Sequence, residues 1–263
     1  MTIGAGQEGK HDMRVVVIGG TGLIGSKLVV ALADKGCDVV AASPRSGVDS
    51  LTGEGLAEAV KGADVVVDVT NTPSFEAAAV MAFFETSTAN LLEAELEAGV
   101  SHHVALSIVG TERLSEGGYF RGKLAQENLI KDSAVPYTIV RATQFFEFID
   151  GIAERATQAN TVHLPPVFFQ PITADEVVAF LAGTSVEPPV NGVIEIAGPL
   201  PHRLDEVVRE YLDLRGDPRE VVTDPTARYS GVGLGERTLL PDDGATLGVI
   251  RLEDWLSLSS VSS

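Results

Sequence analysis

The chain has 263 residues, a formal net charge of −18 at neutral pH and a single cysteine. That acidity argues against nucleic acid as a partner, because phosphate-backbone binding relies on clustered Lys and Arg. The lone Cys37 excludes an intramolecular disulfide framework.

No apolar run approaches the ~18 residues of a membrane span, and the polar leader over residues 1–12 has no apolar core of the signal-peptide kind. The expectation is a soluble cytoplasmic protein with a small-molecule substrate and no membrane partner. Oligomeric state is left open, a homo-oligomer included.

After the leader, "RVVVIGG" (Arg14–Gly20) is a continuous apolar run ending in glycine, as suits a strand buried on both faces. "TGLIGSKLVVALADKG" repeats apolar residues at Ile24, Leu28, Ala31 and Leu32 with a helical period and stops at Gly36. Cys37 then enters a second strand, "DVVAAS", as a small hydrophobe. A helix follows in "LTGEGLAEAVKGA", then a buried strand over Asp64–Thr70 and a long helix from Glu76 to Ala98 closed by Gly99. Strand "HHVALSIVG", a helix from Tyr119 to Ser133 and strand Pro136–Thr143 complete the regular part.

Strands alternating with helices of this length predict βαβ units and a parallel sheet. Beyond about residue 145 the alternation loosens. "TADEVVAFLAG" opens with a capping box, Thr173 and Glu176, which reads as a helix start and not a catalytic pair. "GVIEIAG" is a strand and "RLDEVVREYLDLRG" an amphipathic helix. From Gly216 onward Pro, Gly and Asp dominate until "LEDWL", where Trp255 anchors the tail by burial.

The predicted fold is a Rossmann-like, doubly wound parallel α/β sheet with a small C-terminal substrate lobe. Residues 13–145 form the nucleotide-binding core, and 146–256 the remaining sheet edge and lobe of one integrated domain. Residues 1–12 and 257–263 are expected to be disordered.

"GGTGLIG" places Gly19, Gly22 and Gly25 where the first strand ends and the first helix begins. There the first glycine permits a tight turn, the second lets backbone approach a pyrophosphate, and the third allows close helix–strand packing. The helix N-terminus offers N–H groups and a positive dipole end to the anion. Gly19, Thr21, Gly22, Leu23, Ile24 and Gly25 are therefore candidate cofactor contacts. At the end of the second strand, where a carboxylate would bind the ribose 2′-hydroxyl of NAD, this chain has "AASPRSG". Ser43, Arg45 and Ser46 suit a 2′-phosphate instead. NADP(H) is favoured over NAD(H).

Tyr119 and Lys123 are four residues apart on a predicted helix and share a face. A phenol becomes a useful proton donor when a neighbouring ammonium stabilises its anion. Ser107, near the carboxyl end of "HHVALSIVG", is placed to polarise a carbonyl on which charge develops. The histidines lack metal-site spacing, so no metal is expected. Phe145, Phe146, Phe148, Phe168 and Phe169 gather at the junction with the lobe, as core or as walls of an apolar pocket. "GTERLSEGG" (Gly110–Gly118) is polar with glycine at both ends, the composition of a mobile lid.

Together the glycine turn, "GADVVVDVTNT", "SIVG", "YFRGKLAQENLI", "PYTIVRATQFFEF" and "FFQPITADEVV" resemble the short-chain dehydrogenase/reductase superfamily, most closely its atypical, NmrA-like branch. The resemblance covers Arg14 to about Leu181. It implies Tyr119 as general acid, Lys123 on the nicotinamide ribose and lowering the Tyr119 pKa, and Ser107 orienting the substrate oxygen. It also implies Val48–Asp49 near the adenine, Thr70 and Asn71 along the cofactor, and Thr143–Gln144 near the nicotinamide. The usual third strand is compressed here to little more than "VDS". The implied function is an NADPH-dependent oxidoreductase acting on a small apolar carbonyl or quinone. Members of this branch that bind the cofactor without catalysis imply a redox sensor as the alternative, and an NAD(P)-dependent epimerase or isomerase is a third.

Overall fold

A computed structural model describes residues 12–74 and 76–259. In chain order the elements are β1 (Arg14–Ile18), α1 (Leu23–Asp34), β2 (Asp38–Ala42), α2 (Leu56–Val60), β3 (Val65–Asp68), α3 (Ala77–Ala98) and β4 (His102–Ile108). Next come α4 (Gly118–Asp132), β5 (Tyr137–Ala142), α5 (Ile149–Arg155), β6 (Thr157–Gln158), β7 (Thr161–Leu164) and β8 (Phe168–Phe169). The chain continues through α6 (Ala174–Ser185), β9 (Gly192–Ala197), β10 (His202–Arg203), α7 (Leu204–Leu214), β11 (Glu220–Thr223), β12 (Thr246–Leu247) and α8 (Leu252–Ser259).

Seven strands form a sheet in the order β12-β9-β5-β4-β3-β1-β2, with every pairing parallel. The apolar runs explain it. In β1, Val15 and Val17 face one helical layer with Leu28 and Leu32 of α1 and Leu181 of α6. Val16 and Ile18 face the opposite layer with Leu56 of α2 and Leu91 of α3. Such strands lose apolar surface to solvent unless both faces are covered. The chain moves outward from β1 to β2 and then returns to β1's other side as β3. That reversal opens a crevice at the strands' carboxyl ends, the usual ligand position in open α/β sheets. No strand forms between β2 and α2, in keeping with the compressed "VDS" segment.

The second half departs more from expectation. β9 and β12 complete the sheet edge, while α5, α7, α8 and two small sheets, β11-β7-β6 and β10-β8, build a lobe. Its core holds Phe146, Ile149, Phe169, Leu204 and Val208. Strands of two residues carry no readable alternation, which is why β6, β8, β10 and β12 are invisible in the sequence. The leader lies outside the described residues except for Asp12, as do residues 260–263. Ser257 is not in a disordered tail: α8 runs on to Ser259. Trp255 holds it there by stacking on Phe146 at 5.2 Å and Tyr211 at 6.2 Å, with Ser257 Oγ donating to the Glu253 carbonyl.

Between the sheet and α3 lies a buried ion pair, Glu95 Oε1 2.8 Å from His103 Nδ1. Burial works against the His103 cation, but Glu95 prevails and holds its pKa above the ordinary value. Removing one partner strands the other in an apolar layer. Glu95→Leu alone should therefore cost about 3–5 kcal/mol in urea unfolding, and the Glu95→Leu/His103→Leu double variant should recover most of it. Additive losses would show that the two groups are not paired.

Candidate active site

A cavity of about 1060 Å³ opens at the carboxyl ends of β1, β3, β4 and β5. One end holds Ser43 and Asp49, the middle Gly19, Gly22, Thr70 and Asn71, and the other Ser107, Tyr119, Lys123 and Thr143. Thr21, Leu23 and Ile24 line it as well. Three of the candidate cofactor contacts do not line it: Gly25, Arg45 and Ser46.

Gly19 adopts φ +84°, in the left-handed region that favours glycine. A Cβ on Gly25 would stand 2.1 Å from the Gly19 carbonyl oxygen, so α1 can lie this close to β1 only without a side chain there. Gly22 caps α1 with no side-chain hydrogen bond, and the first turn carries no acidic residue. The N–H groups of that turn and their dipole are left for an anion. Nearby, Thr70 Oγ1 is buried without a partner among the described residues. These features fit a dinucleotide's pyrophosphate.

At the adenosine end, Asp49 closes a local turn, with Oδ1 accepting the Leu51 N–H at 2.8 Å. Arg45 is exposed on the short turn Pro44–Ser46 directly after β2. Ser46 is used inside that turn: its hydroxyl accepts the Ser43 N–H at 2.9 Å. The sequence could not show this commitment, because it depends on the turn's own geometry.

Helix α4 is set against α3 by glycines. Cβ atoms on Gly118 and Gly122 would meet Ala77 Cβ at 2.6 Å and Val80 Cγ1 at 2.8 Å. This close approach brings Tyr119 to Asn71, whose Oδ1 accepts the phenolic O–H at 3.0 Å. Contrary to what the resemblance implies, the Tyr119 pKa is not lowered: burial pushes it up to about 12, opposed by the Asn71 bond. One turn on, Lys123 is buried. Its Nζ donates to the Leu106 carbonyl at 2.8 Å and to Gln126 Oε1, and lies 4.8 Å from the Phe84 ring centroid. Gln126 in turn donates to Asp68 Oδ2 at 2.8 Å. Burial lowers the Lys123 pKa to about 8, with Asp68 and Glu127 pulling the other way.

Ser107 lines the cavity, but its O–H is directed onto Glu127 Oε1 at 2.6 Å. Burial would raise the Glu127 pKa; hydrogen bonds from Arg141, Ser107 and Lys131 outweigh it and hold the carboxylate below its usual range. Arg141 grips both Glu127 oxygens and reaches Glu112. Asp68, Glu127 and Arg141 were not singled out in the sequence. A charged residue inside an apolar strand, as in "VVVDV" and "YTIVRAT", is the signal that would have found two of them.

The aromatic cluster divides. Phe146 and Phe169 are core, whereas Phe145 and Phe148, stacked at 5.1 Å, wall the cavity with Phe83, Phe120 and Tyr229. The loop after β4 is pinned and not a free lid: Leu114 is buried, and Arg113 donates to Asp242 at 2.8 Å and to the Leu240 carbonyl at 2.7 Å. Thr173 caps α6 as expected, accepting the Glu176 N–H at 3.1 Å. Among the described residues no three His, Cys, Asp or Glu side chains gather as a metal site, and no helix is long and apolar enough to cross a membrane.

Residues 19–183 match a family model described as NAD(P)H-binding. A chloroplastic divinyl chlorophyllide a 8-vinyl-reductase from Cucumis sativus is 28% identical over 229 residues, 72% of this chain and 53% of the relative. The photosystem II assembly factor Ycf39 from Cyanophora paradoxa is 26% identical over 153 residues, 53% of this chain and 48% of the relative. The chain thus spans about half the length of these curated relatives. A short-chain dehydrogenase/reductase superfamily protein from Agrobacterium tumefaciens, solved with bound NAD, shares the fold at a TM-score of 0.71 and 17% identity, over 95% of this chain and 96% of that one.

The glycine turn makes a direct prediction. Gly25→Ala should lower stability by about 1–3 kcal/mol, because α1 must move off β1. Gly22→Ala, whose Cβ meets only the Gly19 oxygen at 3.4 Å, should melt close to wild type. Thermal unfolding of the two variants side by side checks this.

Proposed function

This chain belongs to the NAD(P)H-binding family, and we propose that within it the protein is an NADPH-dependent oxidoreductase reducing a small, rather apolar carbonyl or quinone. The observation that carries this reading is that Tyr119 and Lys123, one helical turn apart, line the same cavity as the glycine turn. The vinyl-reductase relative and the aromatic walls support a reduction of an unsaturated, apolar substrate.

A nicotinamide held at this site would supply the hydride. The remaining chemistry belongs to the chain's own side chains. Tyr119, its pKa raised to about 12, keeps its proton at neutral pH and donates it to the substrate oxygen as charge develops there. Lys123 is charged below about pH 8 and stabilises the phenolate left behind. Ser107 serves chiefly as an acceptor at this point, because its proton is held by Glu127. The aromatic walls exclude water from the reacting oxygen. Arg45, on its exposed turn beside Ser43, would hold the 2′-phosphate at the cavity's rim, and Asp49 would hold the adenine.

A non-catalytic NADP(H)-binding regulator is the second reading, favoured by the resemblance to an assembly factor. The two are separated by turnover. NADPH oxidation with a panel of aromatic ketones and quinones should be seen in wild type, and Tyr119→Phe should lower kcat by about 10²–10⁴-fold while NADPH affinity stays within roughly threefold. A variant as fast as wild type would remove Tyr119 from the chemistry. In the pH profile, turnover should fall above about pH 8 as Lys123 loses its proton. A rate level to pH 10 contradicts that role.

Cofactor choice is tested separately. Arg45→Ala should weaken NADPH by about 10–100-fold, the value of a charge-assisted phosphate contact, and leave NADH nearly unaffected. Equal losses for both nucleotides, measured by fluorescence titration, would undo the assignment.

A further inference from the structure

We infer that Gln144 selects the substrate, its side-chain amide pairing with a carbonyl and a hydroxyl on neighbouring carbons of an aromatic hydroxyketone. The inference rests on the reductase reading and narrows its substrate class.

Gln144 stands two residues past the end of β5 and lines the cavity. Its backbone carbonyl accepts the Ile172 N–H at 3.0 Å, which fixes the position of the residue. The residue is only 8% exposed, yet neither Oε1 nor Nε2 has a hydrogen-bond partner among the described residues. Buried side-chain amides are ordinarily satisfied. A carboxamide left bare at both ends, in a residue that lines a cavity, is a group that a ligand can satisfy.

The neighbouring polar side chains already have partners. Ser107 donates to Glu127 at 2.6 Å, and Thr143 Oγ1 donates to the Gln170 carbonyl at 2.6 Å. Beside Gln144 stand the stacked rings of Phe145 and Phe148. The recognition surface is therefore aromatic, with one amide carrying a donor and an acceptor side by side.

A simple ketone or quinone uses only the donor and leaves Oε1 buried and unpaired. A hydroxyketone satisfies both ends. Its carbonyl oxygen has two lone pairs, one for Tyr119, whose O–H turns from Asn71 to the substrate, and one for Nε2, and its hydroxyl donates to Oε1. Reduction then adds hydride from NADPH to the carbonyl carbon and the Tyr119 proton to its oxygen, giving a 1,2-diol and NADP+. A site built to bind a substrate hydroxyl discriminates strongly against the analogue lacking it.

Benzoin and deoxybenzoin, which differ by that hydroxyl, are the probes. Wild type should prefer benzoin by about 100-fold in kcat/KM, and Gln144→Leu should bring the two within roughly threefold, chiefly through a higher KM for benzoin. NADPH affinity should hold. The melting temperature of the ligand-free variant should stay level or rise, since an unsatisfied buried amide has been removed. Gln144→Met, of similar length, provides a second variant should leucine pack poorly.

A wild type indifferent to the hydroxyl, or a ratio unmoved by both variants, would overturn the inference. So would a lower melting temperature in both, which marks a structural amide, or a tenfold loss of NADPH, which marks a cofactor contact. If wild type reduces neither compound, the panel of ketones and quinones decides the reductase reading separately. Calorimetric titration of the NADP+-loaded protein then decides about Gln144: tighter benzoin binding that is lost in the variants supports it, and equal binding refutes it.

Discussion

The arrangement turns on a charge that has been taken out of water. Lys123 is buried at the end of the sheet, and a buried ammonium is tolerated only where its protons are largely taken up by hydrogen bonds. The acceptors come from two places: the Leu106 carbonyl on β4 and Gln126 on α4 itself, the latter relaying to Asp68 on β3. Two adjacent strands and the helix above them are thereby joined at the point where the cavity ends. If Asp68 or Gln126 moved, Lys123 would lose its counterweight and Tyr119, one turn earlier, its fixed distance from Asn71.

A second network lies next to the first. Glu127 is buried on the same helix and takes hydrogen bonds from Ser107, Arg141 and Lys131. Arg141 also reaches Glu112 in the loop after β4, so that loop, β5 and α4 share one set of charges. In a chain with net charge −18, two buried cations, Lys123 and Arg141, stand here, and Arg141 helps to keep Glu127 ionised inside the protein. Coupling of this sort makes Ser107 an oriented group and not a freely rotating hydroxyl.

Close backbone approach is the other requirement, and glycine meets it twice. Gly25 lets α1 settle on β1 and presents the first turn's N–H groups to the cavity. Gly118 and Gly122 let α4 settle on α3 and deliver Tyr119 and Lys123 to the far end. The nucleotide-facing and substrate-facing ends of the cavity are thus positioned by the same physical device, absence of a Cβ where two elements cross.

The sequence by itself determined the parallel sheet, since "RVVVIGG" and "DVVVDVT" are apolar on both faces and such strands need helices on each side. It also determined the glycine turn and the Tyr119–Lys123 pair, because a turn between adjacent elements and an i,i+4 spacing are local properties. What the tertiary structure alone decided involves partners distant in sequence. Ser107 was legible as a site residue, but its engagement with Glu127, 20 positions away, was not. Nor were the pinning of the Gly110–Gly118 loop by Asp242, the division of the phenylalanines into core and cavity wall, or the bare amide of Gln144. Periodicity reports which face a residue occupies along its own element; whether a polar atom on that face finds a partner depends on which other elements arrive there.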